Sequence, residues 1–266
     1  MSDSQPKLFV VVTVHDAYRY IDKCMTSIVA QDYPNFEVLI ADDNSTDGTW
    51  DKARLWAAGD SRVRAKRTAE HNGASTPTLI EMLGREQLSP ATIVAIVGGD
   101  DYLPVPTVFS RVVARYTGGA WMTYGTYVVD SEGKFFISKP ACASPTPELL
   151  NRVDGMRELF FQNDKGLPFG PLQTFYYGLY QKLPKPYLID PQSGRIWHTG
   201  GDTPLMTSLA ELARDRAQMM PDPIYVYNWD NPKRVTYRYG PALARERFER
   251  FCSTYKPLEG LKCLKI

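Results

Sequence analysis

The chain has 266 residues, 43% hydrophobic and 23% charged, the composition of an ordinary globular protein, and at this length roughly 70 to 75% of the unfolded surface is buried on folding. Its 31 Lys and Arg against 30 Asp and Glu leave a formal net charge of +1, so no global field draws it to nucleic acid or an anionic membrane. One large domain or two closely packed lobes is expected, and any anionic ligand has to be held by local groups.

The first residues, MSDSQPKLFVVVTV, put acidic and polar groups before a short apolar run, unlike the basic start of a signal peptide. Leu8 to Val14 is β-branched and continuous, as a strand buried on both faces should be. Ile21, Cys24, Met25, Ile28 and Val29 then recur at helical spacing. A second buried strand, VLIA, runs into Asp42 and Asp43, after which Thr46 or Asp47 is placed to cap a helix carrying Trp50, Ala53, Arg54 and Ala57. SRVRAKRTA reads as a third strand, STPTLIEMLGRE as a helix capped by Ser75 or Thr76 with Pro77 in its first turn, and Ile93 to Val97 as another buried strand. This alternation predicts an α/β fold with a mostly parallel sheet and crossover helices, whose ligands gather at the carboxyl ends of the strands.

The second half changes character. Ala120 to Ile137 reads as strands around a turn at Asp130 to Gly133, with a Pro-rich linker through Pro147. Helices are predicted around Met156 to Gln162 and Thr174 to Leu183, then a turn at DPQSG. In GGDTPLMTSLAELA, Thr203 reads as a cap and Pro204 as the first helical residue. IYVYNWDNP is strand-like, and Ala242 to Tyr255 is a charged surface helix. No run approaches the ~20 apolar residues of a membrane span. Cys24, Cys142, Cys252 and Cys263 lack C-x-x-C spacing, so reduced thiols, no zinc site and a soluble cytoplasmic chain are expected.

Two stretches concentrate acceptor chemistry at strand ends, FEVLIADDNSTDGTW and IVAIVGGDDYL. Turns and helix caps account for some of it, since Asp and Asn bond their own backbone. Two facing carboxylates about 4 Å apart, however, repel by roughly 4 kcal/mol at an effective dielectric near 20. A divalent cation with oxygen ligands would remove that conflict at Asp100 and Asp101, and Gly98 and Gly99 leave room for a bulky ligand near the backbone.

The strand ending in Thr13, the segment SIVAQDYPNFEVLIADDNSTDGT, then HNGAS and GGDDYLP occur in that order and resemble the family 2 glycosyltransferases of GT-A fold. LQTFYYGLY, GGDTPLMTSLAELA and IYVYNWDNP extend the resemblance to about Pro232, towards a branch found in bacterial and large-virus glycan synthesis. The resemblance implies one domain over 1–232, with a nucleotide-sugar half at 7–119, a smaller mixed acceptor half at 120–232 and a helical tail at 233–266. It also implies that Thr13 and His15 frame a nucleobase, that Asp43 accepts from a uracil-type N–H with Asp42 behind it, and that Asn72 and Gly73 border the nucleotide. The usual D-x-D-D reads here as Gly98, Gly99, Asp100, Asp101, so the first acid is missing. Gly99 and Asp100 fall in the donor site, with Asp100 and Asp101 as ligands for Mn or Mg. Asp202 matches the catalytic base, and Glu211 an acid of the branch that an exposed or ion-paired role explains equally well.

Such a site would take a nucleotide diphosphate sugar, UDP-type by preference, and a glycan or other saccharide acceptor, with no nucleic acid. Peripheral membrane contact stays open. A cation at Asp100 would stabilise the leaving diphosphate, and Asp202 would deprotonate the acceptor for inverting attack. His71 and His198 are weaker candidates, as are Trp197, Trp229, Tyr176, Tyr177 and Tyr180, which serve a core as readily as a sugar. Gln173 stands where the branch has a basic residue, and NPKRVTYRYG is a solvated segment or a lid. Two alternatives remain: a nucleotidyltransferase, which should carry a Gly-rich basic loop that TVHDAYRYI lacks, and a non-catalytic binder. No G-x-G-x-x-G follows a strand, which excludes a dinucleotide oxidoreductase.

Overall fold

The computed structural model describes residues 5–137, 169–198, 200–232 and 235–266, together with 152, 155, 157 and 158. Leu8–Val14 forms β1 with every residue buried. Phe36–Asp42 (β2) and Ile93–Gly98 (β4) pair with it in parallel, as their apolar runs suit, and the more polar Val63–Arg67 (β3) adds in parallel beside β2. Between them, Ile21–Val29 (α1) buries Ile21, Cys24, Met25 and Ile28, the stripe its spacing predicted.

Two helix starts differ from expectation. Thr49–Gly59 (α2) begins after Gly48, whose φ of 91° suits glycine, rather than at Thr46 or Asp47; Asp47 Oδ1 still accepts the Thr49 N–H at 3.0 Å. Ser75–Leu83 (α3) has Ala74 at its cap, with Pro77 inside the first turn as predicted. Val108–Thr117 (α4) was not anticipated, although Val108, Phe109, Val112, Val113 and Tyr116 give it a helical apolar face.

Met122–Ser131 (β5) and Lys134–Ile137 (β6) form the predicted hairpin, turned by Glu132 and Gly133 at φ of 52° and 74°. The predicted linker lies outside the described residues, as does the Met156 to Gln162 helix apart from the helical Arg157 and Glu158. The helix expected from Thr174 is overturned in its first half. Gln173–Tyr176 is a strand (β7), antiparallel to both β4 and β5, and only Tyr177–Gln181 (α5) is helical. The aromatic spacing suits either state, and two open ladders flanking this segment decide it. Ile189–Asp190 (β8) and Arg195–Ile196 (β9) flank the predicted DPQSG turn. Asp202–Ala213 (α6) starts one residue before the predicted cap, with Gly201 at its own cap position. Ala217–Asn228 (β10) runs parallel to β5 with register shifts around Pro223. The main sheet is ordered β10-β5-β7-β4-β1-β2-β3, with β6 on β5.

The last helix, Val235–Thr254 (α7), is charged outside but buries Phe248 and Phe251 at 0% exposure against Trp197. Behind it, Arg157 Nε meets Glu211 Oε1 at 2.6 Å, and both side chains are buried. Arg157 also donates to the Tyr255 carbonyl, and Glu211 Oε2 accepts the Leu258 N–H at 2.8 Å. Glu211 is thus ion-paired inside the protein and ties the C-terminal segment to α6. No described helix is long and apolar enough to cross a membrane.

Candidate active site

Strand β1 lies between β4 and β2, so the order of strand addition reverses at the β1–β4 pair and a crevice forms beyond their carboxyl ends. Thr13 sits there, paired with Ala41 and Gly98, and its carbonyl accepts the Gly99 N–H at 2.8 Å. Beyond β2, Asp42 is fully buried: Oδ2 accepts from Ser45 N and faces Arg67 Nε, both at 3.1 Å, while Oδ1 has no hydrogen-bond partner. Burial raises its carboxyl above the ordinary range, against the pull of Ser45 and Arg67.

Asp43 organises the neighbouring loop. Its Oδ1 accepts the Asn72 N–H at 2.7 Å and the Thr68 hydroxyl at 3.3 Å. Oδ2 accepts the Gly73 N–H at 3.0 Å and faces His71 Nδ1 at 2.9 Å. Three donors thus occupy the carboxylate, and the His71 ring, hydrogen-bonded to the Asp43 carbonyl at 3.2 Å, lies against it. His15 Nδ1 donates to the Asp43 carbonyl at 2.8 Å, and its ring stacks on His71 with centroids 3.8 Å apart. One ligand atom each from His15, Asp43 and His71 lies within 4.8 Å of the others, a spacing that admits a metal ion in place of these hydrogen bonds. The Asn72 side chain turns away to Glu81 Oε2 at 2.8 Å, leaving its backbone at the site.

At the end of β4, Asp100 and Asp101 take different partners, although one oxygen of each lies within 3.2 Å of the point that a Cβ on Gly98 would occupy. Asp101 turns inward, where Oδ2 accepts the Tyr225 hydroxyl at 2.7 Å and Oδ1 the Asn228 N–H at 2.9 Å. Expected as a metal ligand, Asp101 here uses both oxygens to fasten the strand-end loop to β10. Asp100 Oδ2 instead accepts from Asn231 Nδ2 at 2.8 Å. The room anticipated at the two glycines is taken by the chain itself: a Cβ on Gly98 would lie 2.8 Å from Asp101 Oδ2, and one on Gly99 2.6 Å from Val14 Cβ. Asn231 carried no local sequence signal, because its partner lies 131 residues away.

The third carboxylate arrives from α6. Gln173 pairs with Ile96 near the end of β4, and its Nε2 lies 3.5 Å from Asp202 Oδ2, which brings Asp202 to the same sheet edge. Burial raises the Asp202 carboxyl above the ordinary aspartate value. His198, four residues earlier, packs so tightly on Gly73 that a β-carbon there would collide with its Nε2. Burial, with the Arg247 charge nearby, lowers the His198 pKa and favours the neutral ring. Trp197, Tyr176 and Tyr177 are core residues, whereas Trp229 stays exposed. The side chains of 233–240 lie outside the described residues.

Comparison with known proteins gives the same direction at several levels. The chain is 27% identical over 135 residues to glycosyltransferase GlyA of Streptococcus pneumoniae, a match spanning 49% of this chain and 18% of that protein. The fold is similar to that of S. aureus TarS 1–349 in complex with UDP, with a TM-score of 0.65, 16% identity, and coverage of 95% of this chain and 67% of that 1–349 chain. It is equally similar to the mannosyltransferase PcManGT from Pyrobaculum calidifontis in complex with GDP-Man and Mn2+, with a TM-score of 0.65, 19% identity, and coverage of 96% and 67%. The fold is accordingly GT-A type, a mostly parallel sheet with crossover helices. The sequence model described as glycosyl transferase family 2 matches residues 9–163, more than half of the chain, and the chain belongs to that family.

Proposed function

We propose that the chain transfers a sugar from a nucleotide diphosphate sugar to a hydroxyl acceptor, with inversion at the anomeric carbon and a divalent cation held by Asp100. The observation that carries this reading is the gathering of Asp43, Asp100 and Asp202 at one sheet edge from three separate elements. UDP in the TarS complex, and GDP-Man with Mn2+ in PcManGT, support a nucleotide-sugar donor and a metal. Asp100 offers the hard oxygen that Mn or Mg takes, and the bound ion would supply charge stabilisation for the leaving diphosphate.

The protein's own groups divide the work. Asp43 and His15 form the nucleobase end, and a base N–H reaches Asp43 by displacing the exposed His71 ring that lies against Oδ2. Thr13, Asn72 and Gly73 border the nucleotide through the backbone, with Asp42 and Arg67 as a buried support. Gly99 keeps the β4 end close against β1. Asp202 takes the proton of the acceptor hydroxyl, and its raised pKa makes it a better base than an exposed aspartate. The glycan nature of the acceptor and a UDP-type donor complete the reading.

The test is calorimetry against a panel of nucleotide sugars with and without Mn2+, followed by an assay for nucleotide release. Binding of a uridine diphosphate sugar, and turnover lost in chelator and restored by Mn2+ or Mg2+, are expected. Donor binding with no transfer to any acceptor, water included, would make the chain a binder.

A further inference from the structure

With Asp101 fastened to β10, Asp100 is the carboxylate of the GGDD stretch assigned to the cation, and an ion bound with a diphosphate takes one or two carboxylates besides phosphate and water, so any second protein oxygen has to come from another residue. What stands beside Asp100 is Asn231, 5% exposed, with its side-chain amide 2.8 Å from Asp100 Oδ2. Two neighbouring ligand atoms of an octahedral ion bound at about 2.1 Å are about 3.0 Å apart, close to this separation. Rotating the Asn231 amide by half a turn exchanges its nitrogen for its carbonyl oxygen at nearly the same point, turning a hydrogen-bond donor into a metal ligand.

Asn231 is also held where a ligand should be. β10 is fastened to the Gly98–Tyr102 loop by the Tyr225 hydroxyl, the Asn228 N–H and a backbone bridge between Tyr102 and Val226. Immediately before Asn231, the Trp229 N–H donates to the Asp130 carbonyl at 2.7 Å and the Asp230 N–H to Asn228 Oδ1 at 3.1 Å. Both sides of the pair are therefore positioned before any ion arrives.

We infer that Asn231 is the second protein ligand of the divalent cation, its side-chain oxygen binding beside Asp100. The inference rests on the metal reading of the site. One carboxylate and one neutral carbonyl leave a divalent ion with a net positive charge facing the crevice, which suits a diphosphate better than a pair of carboxylates would.

The test is Mn2+ binding, followed by the paramagnetic signal of free Mn2+, alone and with saturating UDP, in the wild type and in Asp100→Asn, Asn231→Ala, Asn231→Asp and Asn231→Cys. Thermal unfolding without metal confirms that each variant folds. Wild type should bind, Asp100→Asn should not, Asn231→Ala should weaken binding at least ~10-fold, and Asn231→Asp should retain it. Asn231→Cys should shift preference from Mn2+ to the thiophilic Cd2+ by at least ~10-fold, which a residue that only steadies Asp100 would not do. Asn231→Ala binding like the wild type while Asp100→Asn fails would overturn the inference and leave the metal reading intact. Weak binding in Asn231→Ala without a Cd2+ preference in Asn231→Cys would reduce Asn231 to a positioning residue. A wild type that binds no Mn2+ in either condition overturns both.

Discussion

At the scale of single residues, the buried Asp43 and the half-buried Asp202 serve different purposes, and substitution should separate them. Asp43 holds the Asn72 and Gly73 amides, so Asp43→Ala orphans two backbone donors besides removing the nucleobase acceptor. Nucleotide affinity should fall by ~1 to 3 kcal/mol in calorimetry. His71→Ala should leave affinity unchanged or raise it, because its ring competes with the base for Asp43 Oδ2 and for the face of His15. A loss as large as that of Asp43→Ala would make His71 part of the binding surface instead. Asp202→Asn keeps volume and hydrogen bonding but removes the base, so the transfer rate should fall ~10² to 10⁴-fold with donor affinity near wild type. The base works only when ionised, and burial raises its pKa above the ordinary 3.8. The acidic limb of the rate profile should therefore lie above that value, with the rate dropping as pH falls through it. A limb that persists unchanged in Asp202→Asn would assign the titration to another group.

Between elements, β10 and the end of β4 are joined through one phenol. Tyr225 accepts the Gly98 N–H at 2.9 Å and donates to Asp101 Oδ2 at 2.7 Å, while burial raises its pKa and keeps it a donor. Tyr225→Phe leaves both partners unsatisfied in the interior, at a cost of ~1 to 3 kcal/mol. Tm should drop by about 2 to 4 °C per kcal/mol, and a Tm within a degree of wild type would mean that the loop is held elsewhere. This joint also marks the limit of what was legible in the sequence. β1, β2 and β4 announce themselves through continuous apolar runs, and the acids at their ends follow. Asp101 reads as a ligand beside Asp100 because adjacency in sequence says nothing of which way each side chain turns; Tyr225, more than a hundred residues on, turns it inward. Asn231 and the strand character of Gln173–Tyr176 were hidden for the same reason, since each is defined by distant chain. The cap positions at Gly48, Ala74 and Gly201 missed by a residue or two because acidic and hydroxyl side chains crowd all three starts.

Across the whole molecule, the helix that carries Asp202 is braced from behind by the end of the chain. Arg157, Glu211, Tyr255 and Leu258 form one buried junction, so Arg157→Met would strand the Glu211 charge at a cost of ~3 to 5 kcal/mol. Arg157→Met with Glu211→Leu should recover most of that loss in denaturant unfolding, and a double variant no better than the single would place the value in the backbone contacts to Tyr255 and Leu258. The position of β7 has a temporal consequence. This strand is made long after β4 and β5, yet it lies between them and supplies the inner ladder of each. A growing or refolding chain therefore passes through a stage in which β1 to β4 can pair while β4 and β5 still present open edges, and β10 has nothing fixed to join. Pulse-labelled hydrogen exchange should find amides of Val10 to Val12 protected before those of Thr174 and Phe175. In that interval the nascent protein is adhesive, and its need for a chaperone should end when residues 173–176 close the gap.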